Sequence, residues 1–196
     1  MKKNKRVDDP RKIAEIMRHI QIQRQASFRS PYTCMLVVFC YVLWKQYRYS
    51  QASLAKFTKD FSKYEEKWIK KPIKELDDRL MEYAGWKIEY VPATEKDFPR
   101  YQSVVLQKAI QAQIEDENRI GELSTRYLTY GFCVLADDGV KKQKLTNIKE
   151  KVRKLLDELD IISEKAEKEP GDKGIMDCWR ELIDGAGIYI EKPVVN

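Results

Sequence analysis

Histidine is almost absent from this chain: His19 is the one imidazole in 196 residues. Zinc sites built from several histidines are thereby excluded, and any Ser-His or Cys-His dyad would have to use a residue at the edge of an apolar helix stripe. Cysteine is scarce as well. Cys34, Cys40, Cys133 and Cys178 form no CxxC pair and no regular spacing, and each lies in an apolar helical stretch. They read as buried reduced thiols, not as a disulfide framework or metal ligands. Glycine (8) and proline (7) are few while lysine and glutamate are abundant, which points to helices. No apolar run reaches the roughly 20 residues that cross a bilayer. The longest candidate, Tyr32 to Trp44, falls well short of that length, with only Thr33 clearly polar. The basic start MKKNKR is followed by VDDPRK instead of an apolar core, so no secretory signal is expected. The chain is read as cytoplasmic, with no membrane partner. The motifs GxxxxGK[ST], GxGxxG after a strand, GxSxG and HExxH are all missing, so the common nucleotide-binding and hydrolytic templates fail.

What the sequence has is charge, unevenly placed. Residues 1–59 carry 13 Lys and Arg against 3 Asp and Glu, whereas residues 60–196 carry 24 against 28. Such asymmetry predicts an anionic partner for the front of the chain, either nucleic acid or an acidic protein surface.

The pattern along the chain is helical. Asp9-Pro10 starts a helix with Ile13, Ile16, Met17 and Ile20 inward. Ser30-Pro31 starts a second, apolar on nearly every face and therefore central. Ser50 precedes a third, with Leu54, Phe57, Phe61 and Tyr64 as its stripe. Lys71-Pro72 opens a fourth, with Ile73, Leu76, Leu80 and Met81 inward, and Gly85 stops it. WKIEY (residues 86–90) alternates as a short strand, and residues 93–98 form a linker. Helices are then expected over Pro99 to Asn118, Gly121 to Ala136 and Lys141 to Glu167. A last one carries Ile175, Trp179, Leu182 and Ile183 to a stop at Gly187, and IYIE follows as a second strand.

The two halves echo each other. Leu36, Val42 and Leu43 match Leu128, Val134 and Leu135 at an offset of 92. Leu54, Phe57, Phe61 and Tyr64 match Leu145, Ile148, Val152 and Leu155 at 91. Ile73, Leu80, Met81, Ala84, Gly85, Ile88 and Glu89 match Ile175, Leu182, Ile183, Ala186, Gly187, Ile190 and Glu191 at 102. The expected fold is mainly α: two pseudo-repeated lobes of about four helices, residues 1–92 and 99–196, each ending in a short β-strand.

The stretch SPYTCMLVVFCYVLWKQYRYSQASLAKFTKDF, followed by IKELDDRLMEYAGWKIE, resembles a family of small helical proteins encoded by bacteriophages and prophages of Gram-positive bacteria. The resemblance covers the larger part of each half. Both glycines that the family has at the aromatic-Gly-aromatic-Gly turn are replaced in Tyr47-Arg48-Tyr49-Ser50; the second half is closer there, with Gly139. The resemblance implies a viral origin, hence a bacterial host cytoplasm, and supplies no catalytic residues.

Function is expected where the halves differ. Lys2, Lys3, Lys5 and Arg6 form a basic arm. Arg11 and Arg18 lie on the first helix, and Lys45, Tyr47, Arg48, Lys56 and Lys59 surround the turn at residues 47–50. Bases with an interleaved aromatic are the residue types that bind phosphates and stack on nucleobases. Packing between helices is the alternative role for Tyr47 and Tyr49. No catalytic residue, metal or cofactor is expected. The leading expectation is a non-catalytic phage-type binding protein that occupies a host protein, nucleoprotein or nucleic acid (DNA or RNA), such as an anti-CRISPR inhibitor. One alternative is a DNA-binding regulator reading with Gln51, Lys56, Lys59 and Lys63 of the third helix. The other is a metal-dependent nuclease using Asp77, Asp78 and Glu82, or Asp157, Glu158 and Asp160.

Overall fold

The computed structural model describes residues 10–98, 100–101, 103–164 and 174–191, apart from 28–30; the arm residues Lys2, Lys3, Lys5 and Arg6 and the cap residues Asp9 and Ser30 lie outside the described residues. Among these residues the fold is helical, with α1 (Pro10–Ser27), α2 (Pro31–Tyr47), α3 (Gln51–Trp68), α4 (Lys74–Ala84), a 3-10 turn (Glu95–Asp97), α5 (Val104–Asp137), α6 (Lys142–Glu164) and α7 (Ile175–Ala186). No helix among them is long and apolar enough to cross a membrane.

The helix ends follow local chemistry. Ser50 caps α3, its Oγ accepting from the Ser53 amide at 3.2 Å. Gly85 and Gly187 end α4 and α7 in the left-handed region, at φ 78° and 64°. Three expectations are corrected. Asn118 and Gly121 do not separate two helices, because α5 runs unbroken for 34 residues. A Cβ on Gly121 would lie 2.2 Å from Cε2 of Tyr90, so this glycine makes room for a ring instead of stopping the helix. The Asn118 side-chain carbonyl accepts from the Tyr90 hydroxyl (2.6 Å) and the Ala93 amide (2.8 Å), and so holds the loop before α5. The second correction concerns the strands: residues 86–90 and 187–191 form none. Ile188 and Ile190 are buried as their alternation predicts. The Ile190 carbonyl, however, is satisfied by the Trp179 indole at 2.9 Å, not by a neighbouring strand. Met81, expected inward, is 44% exposed.

The chain divides into two compact units, with boundaries that differ from the 1–92 and 99–196 division. One comprises the described residues of 1–29 and 89–123; the other comprises those of 30–88 and 124–193. The first has a small core of Ile20, Ile110 and Ile114, flanked by Ile16, Phe98 and Tyr101. The second holds two helix trios: α2, α3 and α4, and then α5 from Ser124 onward, α6 and α7. Here α2 packs on α7, α6 and α3, and α4 packs on α6. Phe39, Phe57, Phe61, Tyr130 and Phe132 are fully buried and form a continuous aromatic cluster. Cys40 and Cys133 lie in this core, and burial pushes the Cys133 thiol up to about 12, which removes its nucleophilic form.

Candidate nucleic-acid interface

The turn joining α2 to α3 is built around a non-glycine residue in the left-handed region: Arg48, at φ 54°. Its amide donates to the Trp44 carbonyl (3.1 Å), and the Tyr49 amide donates to Leu43 (3.2 Å). The turn after α5 has Gly139 at φ 76°, with Gly139 and Val140 amides donating to Ala136 and Leu135, both at 3.0 Å. Glycine adopts this conformation freely, whereas a residue with a Cβ pays roughly 1–2 kcal/mol. The Arg48 side chain is exposed and makes no ion pair among the described residues.

Beside this turn stands the front of α6. Residues 141–154 carry seven Lys and Arg and one acid, a run that the −4 balance of residues 60–196 conceals. Lys144 Nζ lies over the rings of both Tyr47 (5.4 Å) and Tyr49 (5.5 Å). Further along α6, Lys151 and Lys154 line a surface cavity of about 150 Å³ with Tyr41, Val42 and Gln46 of α2 and with Glu158, which pairs with Lys154 at 3.8 Å. Tyr47, Arg48, Lys144, Lys151 and Lys154 thus form one band drawn from both trios. Lys144 and Lys151, two turns apart, project from the same face about 10 Å apart along the axis. Among the described residues, Arg48, Lys141, Lys142, Lys144, Lys151 and Arg153 have no carboxylate partner. Lys141 and Lys142 sit at the α6 N-terminus, whose first turn holds no acid, where the helix dipole disfavours cations. Burial raises the Tyr47 and Tyr49 hydroxyls above their usual values, so both stay neutral.

The other expected site residues lie elsewhere. Arg11 and Arg18 are exposed on α1, in the first unit. Lys45 covers the Trp44 ring at 4.0 Å and pairs with Glu181 at 3.0 Å. Lys56 pairs with Asp138 and, at 3.4 Å, with Asp60; the Asp138 hydrogen bond holds its ammonium above the ordinary range. Lys59 is exposed at the edge of a cavity shared with Tyr32, Ser62 and Tyr189. Gln51 donates to the Gly187 carbonyl at 2.5 Å and Lys63 pairs with Asp60 at 2.7 Å. Three of the four reading positions of α3 are therefore engaged within the fold. Among the described residues, no three His, Cys, Asp or Glu side chains are grouped to hold a metal.

No family model matches the chain, and no curated protein or solved structure matches it.

Proposed function

We propose that this protein is a non-catalytic binding protein of phage type that holds the phosphodiester backbone of a nucleic acid, free or within a host nucleoprotein complex, through the band at Tyr47, Arg48, Lys144, Lys151 and Lys154. Its site of action is the cytoplasm of the bacterial host, and blocking a host defence in the manner of an anti-CRISPR is the role such a surface serves. The observation that carries this reading is the seating of Lys144 over Tyr47 and Tyr49 beside an unpaired, strained Arg48. Rings that carry an ammonium fix a cation in place. Their covered faces are not free for a base to stack on, so the band favours phosphates over bases. Strained backbone and uncompensated charge both cost stability, and such costs persist where a side chain serves a contact outside the fold.

The test is an anisotropy titration of labelled duplex and single-stranded DNA and RNA at about 50 mM salt. Binding that weakens steeply with added salt, strongest for a duplex, is the expected outcome. No binding to any of the four ends the nucleic-acid reading.

We also propose that the second unit is a fused pair of one helical module. The matched helix positions at offsets 91, 92 and 102 fall inside it. The contacts between trios support the correspondence, because they are reciprocal. A Cβ on Gly85, which ends α4, would meet Nζ of Lys142, the first residue of α6, at 2.9 Å. A Cβ on its counterpart Gly187, which ends α7, would meet Nε2 of Gln51, the first residue of α3 and counterpart of Lys142, at 3.2 Å.

A further inference from the structure

Helix α6 carries cations along two flanks, with a ridge of Gln, Asn and Glu between them. Its buried side is Leu145, Ile148 and Val152, and α2 and α4 both pack on the helix. At about 3.6 residues per turn, Gln143, Asn147 and Glu150 lie opposite that side, at i, i+4 and i+7, and all three are exposed. Lys144 and Lys151 border this ridge on the α2 side, where Lys144 rests on Tyr47 and Tyr49. Lys142, Lys149 and Arg153 border it on the α4 side. There Lys142 lies beside Gly85, and Lys149 Nζ is 4.4 Å from the ring centroid of Trp86, whose indole donates to Thr146 at 3.1 Å. Each flank thus has one ammonium seated on an aromatic ring. The basic stretch runs about 18 Å along the axis, from Lys142 to Lys154. It ends where Lys154 pairs with Glu158 and the exposed surface turns acidic. The acids just before α6 are neutralised within the fold, Asp138 by Lys56 and Asp137 by Arg79.

Two rows of cations match the two phosphate strands that border a major groove. In B-form DNA that groove is about 12 Å wide, and a helix with its side chains is about 10–12 Å across. One row would serve one strand; two rows with a polar ridge between them bring the ridge to the base edges. Gln143 Nε2 donates to Oδ1 of Asn147 at 3.3 Å, which holds the two amides together. The Gln143 carbonyl and the Asn147 amino group remain, an acceptor and a donor, as adenine N6 and N7 require. Glu150, one turn further on, has no ion pair among the described residues and can only accept; cytosine N4 is its partner among base edges. The approach to α6 also suits a reading helix. Residues 138–141 join it to α5, with Gly139 left-handed, a turn of helix-turn-helix length, and in that motif the front of the second helix meets the bases.

We infer that the front of α6 lies in the major groove of B-form DNA. Arg48, Lys144 and Lys151 hold one phosphate strand, Lys142, Lys149 and Arg153 hold the other, and Gln143, Asn147 and Glu150 read adenine and cytosine between them. Double-stranded RNA does not fit, because its major groove is too deep and narrow for side chains to read. This rests on the nucleic-acid reading proposed above and adds to it a duplex, a groove and a sequence preference.

A randomised DNA duplex library is selected on the full chain, and the selected sequence is compared with random duplex by anisotropy titration. A shared motif containing adenine with cytosine close by is expected. Replacing its adenines by 7-deazaadenine removes only the N7 acceptor from the major groove, and should weaken binding about tenfold. The Q143A/N147A variant should bind selected and random duplexes alike, keep the salt slope and be indifferent to that replacement. Glu150→Gln should tighten binding to random duplex, because it removes a negative charge beside phosphates, and should lose the preference for cytosine. Salt-dependent binding with no shared motif overturns this inference and leaves the nucleic-acid reading standing. So does a motif that survives in Q143A/N147A, or double-stranded RNA bound as tightly as the selected DNA. Absence of binding to every nucleic acid ends both.

Discussion

At Arg48 and at Asp77 the fold gives up stability. Arg48 holds a left-handed conformation that glycine would adopt without strain. Replacing Arg48 by Gly should stabilise the protein by about 0.5–1 kcal/mol, the relief of strain less the added chain entropy. The same change should weaken nucleic-acid binding. Thermal melts and titrations on one sample check both directions, and the opposed signs distinguish a functional arginine from a merely poor turn residue. Asp77 has a buried Oδ1 with no hydrogen-bond partner, and burial raises its carboxyl above the usual value. A group with a raised folded pKa contributes stability fully below its unfolded pKa and loses it as pH rises through the folded one. Asp77→Asn should therefore raise the melting midpoint at pH 7, by about 1 kcal/mol of stability, and flatten the decline between acidic and neutral pH. Melts across that range measure it.

At the scale of the elements, α5 and α6 carry the weight. In α5, Gly131 admits the Phe39 ring. Gly131→Ala should destabilise by roughly 1–3 kcal/mol despite alanine's higher helix propensity, and Phe39→Leu should recover part of the loss; urea unfolding of the two single variants and the double one measures the coupling. In α6, the Lys141 carbonyl accepts the first helical hydrogen bond, from Leu145 at 2.9 Å, so Lys141 holds the cap position. Lys141→Asp should add about 1 kcal/mol through capping and dipole complementarity while lowering nucleic-acid affinity, again read by melting and titration. Helix periods and caps were legible in the sequence because they depend on near neighbours along the chain: Ser50, Gly85 and Gly187 stand where expected. Gly121 misled because the same absence of a Cβ that ends a helix also admits a ring, and Tyr90 is distant in the sequence. The alternation at Ile188 and Ile190 reported burial correctly; it could not report whether a second strand was near enough to pair.

For the molecule as a whole, the echo between halves was legible as a pattern, yet its helix positions fall inside the second compact unit, with α1 and the front of α5 in the other. The basic surface was half legible. Tyr47 and Arg48 stood out against their neighbours, whereas the lysines of α6 were lost in a −4 average spread over the whole stretch from position 60 to the end. A count over a window of one helix finds them. Their partnership with Tyr47 and Tyr49 arises only from the packing of one trio on the other, since they lie in different halves of the chain. Counterion release measures that partnership most directly. The apparent binding constant for a short duplex, followed against salt, should give a steep log–log slope for the unaltered protein. The R48Q/K144Q/K151Q variant should be shallower by about 2–3, near 0.9 for each lost phosphate contact. An unchanged slope in that variant, or no binding by the unaltered protein at low salt, would contradict the assignment of this band to a nucleic acid.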